Sequence, residues 1–184
     1  WQPELTGPDG QPVPLQVEKE SCNIQADQRK RIAFDGCLAP SATTRFACRL
    51  RTIARPADPG VRPIAGLWLH QGRGCTVEID ATTGLISRYA VGGAEYLTAG
   101  AFEALVMRDS ADPWGMKVRA FTDRLGGFTL LSPEATAALA GVNAATLAPV
   151  RIVEDGAVRT IVEAAFGFRR SVLVLRYALP QQGT

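Results

Sequence analysis

The chain has 184 residues, 46% of them hydrophobic and 21% charged, with a formal net charge of +2. That is enough apolar material for a buried core, and too little net charge to imply a nucleic-acid or anionic-membrane partner. No stretch approaches the roughly 20 apolar residues of a membrane helix, and no basic, apolar, small-residue leader opens the chain, so a soluble, cytoplasmic protein with no membrane partner is expected. The chain begins on Trp1 rather than Met, which suggests processing, or excision from something longer.

Apolar and polar residues alternate along much of the sequence, the pattern of strands with one wet and one dry face. Asp9-Gly10 signals a tight turn. Val13, Leu15 and Val17 then alternate with Pro14, Gln16 and Glu18, and Pro14 argues for an edge position because proline cannot donate a ladder hydrogen bond. Ile32 and Phe34 alternate with Arg31 and Asp35. Across Thr44–Ile53, Phe46, Cys48 and Leu50 share a dry face while Arg45, Arg49 and Arg51 share a wet one. These three or four short strands define a small β-domain over residues 1–53. The run Ala54–Pro63 holds three prolines and a glycine, and reads as a linker.

The second unit, residues 64–184, opens with strands at Ile64–Gln71, Cys75–Asp80 and Leu85–Val91. Turns at Ala81–Gly84 and Gly92-Gly93 make this a three-stranded meander, with Ala94–Leu97 following the second turn. Ala104–Met107 is a further apolar strand. Ser132, Pro133 and Gly141 bracket an alanine-rich segment as N-cap, first helical residue and stop, so Pro133–Ala140 is expected to be a short surface helix. Val150–Glu154 and Ala157–Phe168 flank Asp155-Gly156, whose residue types supply the positive φ values of a two-residue hairpin turn. Val158, Val162, Ala164, Phe166 and Phe168 share one face of that second strand. On Ser171–Leu179, Leu173, Leu175, Tyr177 and Leu179 lie on one side, with Val172 and Val174 on the other, so both faces are expected to be partly covered near its start. The prediction is an all-β chain: a small sandwich-like unit, then the N-terminal part of a larger antiparallel β-sandwich.

Residues able to carry chemistry are sparse. His70 is the single histidine, and on a strand it reads as packed or surface rather than as a metal ligand or base. Cys22, Cys37, Cys48 and Cys75 are too far apart for a zinc knuckle or a redox pair; the even count allows two disulfides, but without a secretory context buried free thiols are expected. Gln28–Arg31 is basic without interleaved aromatics, and reads as a solvated strand edge or turn. Gly72-Arg73-Gly74 opens no helix, as a phosphate loop must. The most unusual local sequence is Arg108–Met116, with Asp109, Asp112, Pro113, Trp114 and Gly115 close together. A Trp beside acids suits stacking on a sugar ring whose hydroxyls are held by carboxylates, which makes Asp112 and Trp114 the candidate substrate-binding residues. The structural alternative is a loop whose Trp plugs the core rim. A hydrolase acting through Asp109 and Asp112 has no assured geometry at that spacing in a loop.

Thr76–Met116, TVEIDATTGLISRYAVGGAEYLTAGAFEALVMRDSADPWGM, resembles the opening of the large, galactose-mutarotase-like β-sandwich domain of glycoside hydrolase family 38, the α-mannosidases. In that family a strand with a "TGLI" turn leads to a "GGxEyL" turn and then an acidic, tryptophan-containing loop. Pro149–Pro180, PVRIVEDGAVRTIVEAAFGFRRSVLVLRYALP, is similar to the "vvEdGpVRt" hairpin that follows there, with Ala157 in place of the usual proline. Asp9–Gln16, Arg29–Ala39 and Thr44–Leu50 resemble the small β-domain after the catalytic domain. The resemblance implies a parent enzyme that cleaves α-mannosides with retention, using zinc and an aspartate nucleophile in a separate α/β barrel. It carries no catalytic or metal residue onto this chain, and no cofactor is expected here. It implies a non-catalytic region that packs on the catalytic domain and shapes the mannoside cleft, with bare apolar surface open to self-association. The alternative is a stand-alone carbohydrate-binding or structural β-sandwich module.

Overall fold

A computed structural model describes residues 1–18, 31–54, 60–98, 100–111, 114–115 and 119–181. Among the described residues the chain is all-β, with several antiparallel sheets and one short helix. The N-terminal part contains β1 (Gln2–Thr6), β2 (Pro12–Val13), β3 (Leu15–Val17), β4 (Ile32–Phe34) and β5 (Ala47–Arg51). β1 lies between β2 and β5, while β3 and β4 form a separate ribbon. The single alternating run expected over Val13–Val17 is therefore two strands. Pro14, lacking an N–H, stands where the chain passes from one sheet to the other, and β2 occupies a sheet edge. The Asp9-Gly10 turn is present: Gly10 has φ 78°, and its N–H donates to the Gly7 carbonyl at 3.0 Å.

Two expectations for this region are corrected. All five residues of β5 are exposed, and Leu50 keeps 59% of its surface in water. Alternation predicts which side chains share a face, but a face is dry only if a second layer lies over it. Cys37 and Cys48 are exposed thiols and Cys75 is half-buried, so these are not the buried cysteines the sequence suggested. Cys22, Gln28-Arg29-Lys30 and Arg55–Pro59 lie outside the described residues.

The proline-rich run ends in a short strand, β6 (Arg62–Pro63). A four-stranded antiparallel sheet follows: β7 (Leu67–Gly72), β8 (Cys75–Asp80), β9 (Leu85–Val91) and β10 (Ala94–Glu95). The strand expected over Ala94–Leu97 forms over Ala94–Glu95. Arg73-Gly74 links β7 to β8 with φ of 50° and 71°, and Gly92-Gly93 links β9 to β10 with φ of 57° and 85°. Paired positive φ values are what a two-residue turn needs to match the twist of its strands.

Next come the ribbon β11 (Leu105–Met107) and β12 (Arg124–Gly127), then β13 (Thr129–Leu130), helix α1 (Pro133–Ala140), β14 (Val150–Asp155), β15 (Arg159–Phe168) and β16 (Ser171–Pro180). The helix forms as its caps predict. Ser132 Oγ accepts the Ala135 N–H at 3.2 Å, and Gly141 closes the last turn at φ 62°. Strands β6, β14, β15 and β16 lie side by side, with β13 continuing the edge of β15 beyond β14. The Leu131 N–H donates to Ala165 O and the Ala165 N–H donates to Pro149 O, each at 3.0 Å. The helix-bearing excursion thus leaves and rejoins the sheet at one residue of β15.

The two sheets stack to form the core. Val77 and Ile79 of β8 meet Val150, Ile152, Val162, Ala164 and Phe166 of β14 and β15, together with Leu179 of β16. Ile79, Val162 and Ala164 have no accessible surface. Strand β15 is buried on both faces, and its second face holds an ion pair. Arg151 and Glu163, each 8% exposed, bond across the β14–β15 ladder, and Arg176 Nε donates to the other Glu163 oxygen at 2.7 Å. On β16, Val172 and Val174 are 53% and 42% exposed, so the second face is only partly covered near the start of the strand.

The hairpin from β14 to β15 also departs from expectation. Gly156 does not have a positive φ; its N–H donates to the Arg159 carbonyl at 3.2 Å and Asp155 pairs with Thr160, so the bend falls on Ala157-Val158 rather than on Asp155-Gly156. Gly156 serves a close approach instead. A Cβ there would stand 2.8 Å from Gln16 Cγ. Gln16 Oε1 accepts the Arg159 N–H at 3.1 Å, and Glu18 pairs with the Arg159 guanidinium. Arg73 pairs with Asp35. The N-terminal strands are thereby fastened to the sandwich largely by polar contacts.

Candidate functional site

The β8–β9 turn is built by Asp80. Its Oδ1 accepts the Thr82 N–H at 2.8 Å and the Thr82 hydroxyl at 2.7 Å, and its carbonyl accepts the Gly84 N–H at 2.7 Å. The Thr82 hydrogen bonds hold the Asp80 carboxyl below its ordinary value. Gly84 has φ 72°, and a Cβ there would come within 2.6 Å of Leu130 and 2.9 Å of Phe166. The Tyr177 hydroxyl donates to the Gly84 carbonyl at 2.9 Å, and burial pushes that phenol up to about 12. Phe166 and Tyr177 belong to the opposite sheet, so the turn is fixed where the two layers meet.

Facing the turn is the β11–β12 ribbon. The Phe128 N–H donates to Ala104 O at 2.9 Å at its base, and the Arg108 N–H donates to Asp123 O at 2.7 Å at its far end. Arg108 Nε bonds Asp123 again at 2.6 Å. Between turn and ribbon lies an open cleft of about 390 Å³. Phe128, Phe166 and Leu130 supply apolar lining, while Thr82, Glu103 and Arg124 supply polar groups. Glu103 and Arg124 stand 3.5 Å apart, both side chains about half exposed. Such an ion pair contributes little stability, but it presents one acceptor and one donor group to anything entering. Apolar rings beside a few directed polar groups suit a ligand with a hydrophobic ring face and hydroxyl edges.

The residues that follow β11 carry the candidate substrate-binding pair. Trp114 is 84% exposed, so it does not plug the core rim. Asp112 lies outside the described residues. Asp109 Oδ1 accepts the neighbouring Ser110 N–H at 2.8 Å. Elsewhere His70 is buried: its Nε2 lies 2.8 Å from the Pro180 carbonyl, and its ring stacks on Trp68. Gly72 ends β7, and Arg73-Gly74 forms the link to β8. Among the described residues no group of three or more His, Cys, Asp or Glu side chains could hold a metal, and no helix is long and apolar enough to cross a membrane. Sequence reading missed Thr82, Glu103, Arg124, Phe128 and Phe166 as cleft residues. Their meeting depends on how the sheets stack, and no local pattern signals it.

No family model, no curated protein and no solved structure matches the chain.

Proposed function

We propose that this chain is a non-catalytic β-sandwich region of an α-mannosidase-like glycoside hydrolase, and that the cleft beside the β11–β12 ribbon meets the carbohydrate. In this reading the region packs on a zinc-bearing catalytic domain, and Asp112 and Trp114 contribute to the rim. The observation that carries it is physical: the Thr76–Met116 stretch supplies the β8–β9 turn and one strand of the ribbon, which are two walls of one cleft, and the exposed Trp114 stands on the loop that follows. An exposed indole offers a flat apolar face on which a sugar ring can stack.

Calorimetric titration of the chain with α-mannobiose tests this. The expected dissociation constant is of order 1 mM, equivalent to about 4 kcal/mol. Trp114→Ala and Glu103→Gln, both at exposed positions, should weaken binding about tenfold while leaving the fold intact. Absence of any heat with the unsubstituted chain would overturn the carbohydrate reading.

A stand-alone carbohydrate-binding module is the second reading, favoured by the closure of the core within residues 77–179. The natural gene product separates the two. A product several times this length supports the enzyme region, and one near this length supports the module.

A further inference from the structure

We infer that the outer edge of β16 is a self-pairing surface through which two copies of the chain join their sheets about a twofold axis. The inference does not depend on the carbohydrate reading. It begins with the direction of backbone groups. Ala165 and Val174 are partners across the β15–β16 ladder. Ala165 commits its N–H to Pro149 and its carbonyl to Leu131, on the other side of β15. The Ala165–Val174 pair is therefore a non-hydrogen-bonded one, and the N–H and carbonyl of Val174 point away from β15. By the same alternation, so do those of Val172, Arg176 and Ala178. The Pro180 carbonyl, next in this series, confirms the direction: it meets His70 of β7. Among the described residues, no hydrogen bond reaches the outward groups of the other four.

An open row of backbone donors and acceptors is a template for another strand. The usual protections are missing from β16. Its ten pairs with β15 run without a bulge, its only proline is the last residue, and Arg176 is its one charged side chain. That charge is already answered by Glu163 at 2.7 Å. Val172 and Val174 add apolar surface beside the edge.

The sequence of β16 favours a second copy as occupant. An antiparallel twofold centred on Leu175 sets Val172 opposite Ala178 and Val174 opposite Arg176, each twice. It uses all four open residues and places no like charges face to face. On the core side the same register sets Leu175 against Leu175 and Leu173 against Tyr177, all half-buried in the single chain. Centring on Arg176 would oppose two guanidinium groups, and centring on Val174 would leave Ala178 without an outward-facing partner. The strand is self-complementary in one register, as an isologous interface requires.

Sedimentation analysis over a broad concentration range, with amide hydrogen exchange at both ends of it, tests the inference. The expected result is a monomer–dimer equilibrium in which the amides of Val172, Val174, Arg176 and Ala178 become protected only as dimer forms. Those of Leu173, Leu175 and Tyr177, which face β15, stay protected throughout. Val174→Lys, which sets a lysine opposite Arg176 twice, should raise the dissociation constant about tenfold or more. Val174→Pro removes a donor that β15 does not use, and should do the same while leaving circular dichroism unchanged. A monomer at every concentration, a dimer indifferent to both substitutions, or protection of the outward amides in the monomer would overturn the inference.

Discussion

The sandwich and the strands that precede it obey the same local rules and reach different ends. In β8 and β15 alternation delivers Val77, Ile79, Val162, Ala164 and Phe166 into a shared interior, because a second sheet lies over each. In β5 the same alternation leaves Leu50 59% exposed. Among the described residues, the N-terminal strands hold to the rest through polar contacts of Gln16, Glu18 and Arg73, and none of their side chains joins the buried apolar cluster. Periodicity selects a face. Only tertiary stacking makes that face a core.

That contrast can be broken from the sandwich side first. Phe166→Ala should cost about 3–5 kcal/mol in urea denaturation, the range for a deleted core aromatic. Leu50→Ala should stay within about 0.5 kcal/mol. Equal losses would mean that β5 is covered in solution. Glu163→Ala, leaving the Arg151 guanidinium buried and unanswered, should cost about 3–5 kcal/mol, read from the same melts.

The joint gives a smaller effect. Gly156→Ala should push Gln16 off the β14–β15 turn and remove its hydrogen bonds, at about 1 kcal/mol each. Hydrogen exchange should then quicken over Leu15–Val17 while Val162 and Ala164 stay protected. Loss of protection in both would show one cooperative unit rather than a core with a fastened neighbour.

The smallest effect is a pH dependence. Tyr177 titrates at about 12 in the folded chain and near 10 when unfolded. Between these values the unfolded chain releases the proton first, so this contribution to stability is complete below pH ~10 and is lost as pH rises toward ~12. Tyr177→Phe should flatten that alkaline slope in melts recorded from neutral pH upward.

The sequence exposed much of this fold because many decisions are local. Ser132, Pro133 and Gly141 mark the helix ends by capping chemistry, and Gly92-Gly93 marks a hairpin by conformational freedom. The candidate site was less legible. Trp114 stood out as a large aromatic among acids and turn formers, but Thr82, Glu103, Arg124 and Phe166 are distant in sequence and converge only when the sheets stack. Gly156 misled for a related reason. It reads as a turn glycine from its neighbour Asp155, whereas its role is set by Gln16, far away along the chain.

The most direct test of the proposed carbohydrate-binding role of the cleft is an amide NMR titration of the chain with methyl α-mannoside. The account predicts saturable shifts concentrated at Thr82–Leu85, Glu103–Leu105, Arg124–Leu130 and the Trp114 indole. Shifts confined to other surfaces, or none at all at high ligand concentration, would contradict it.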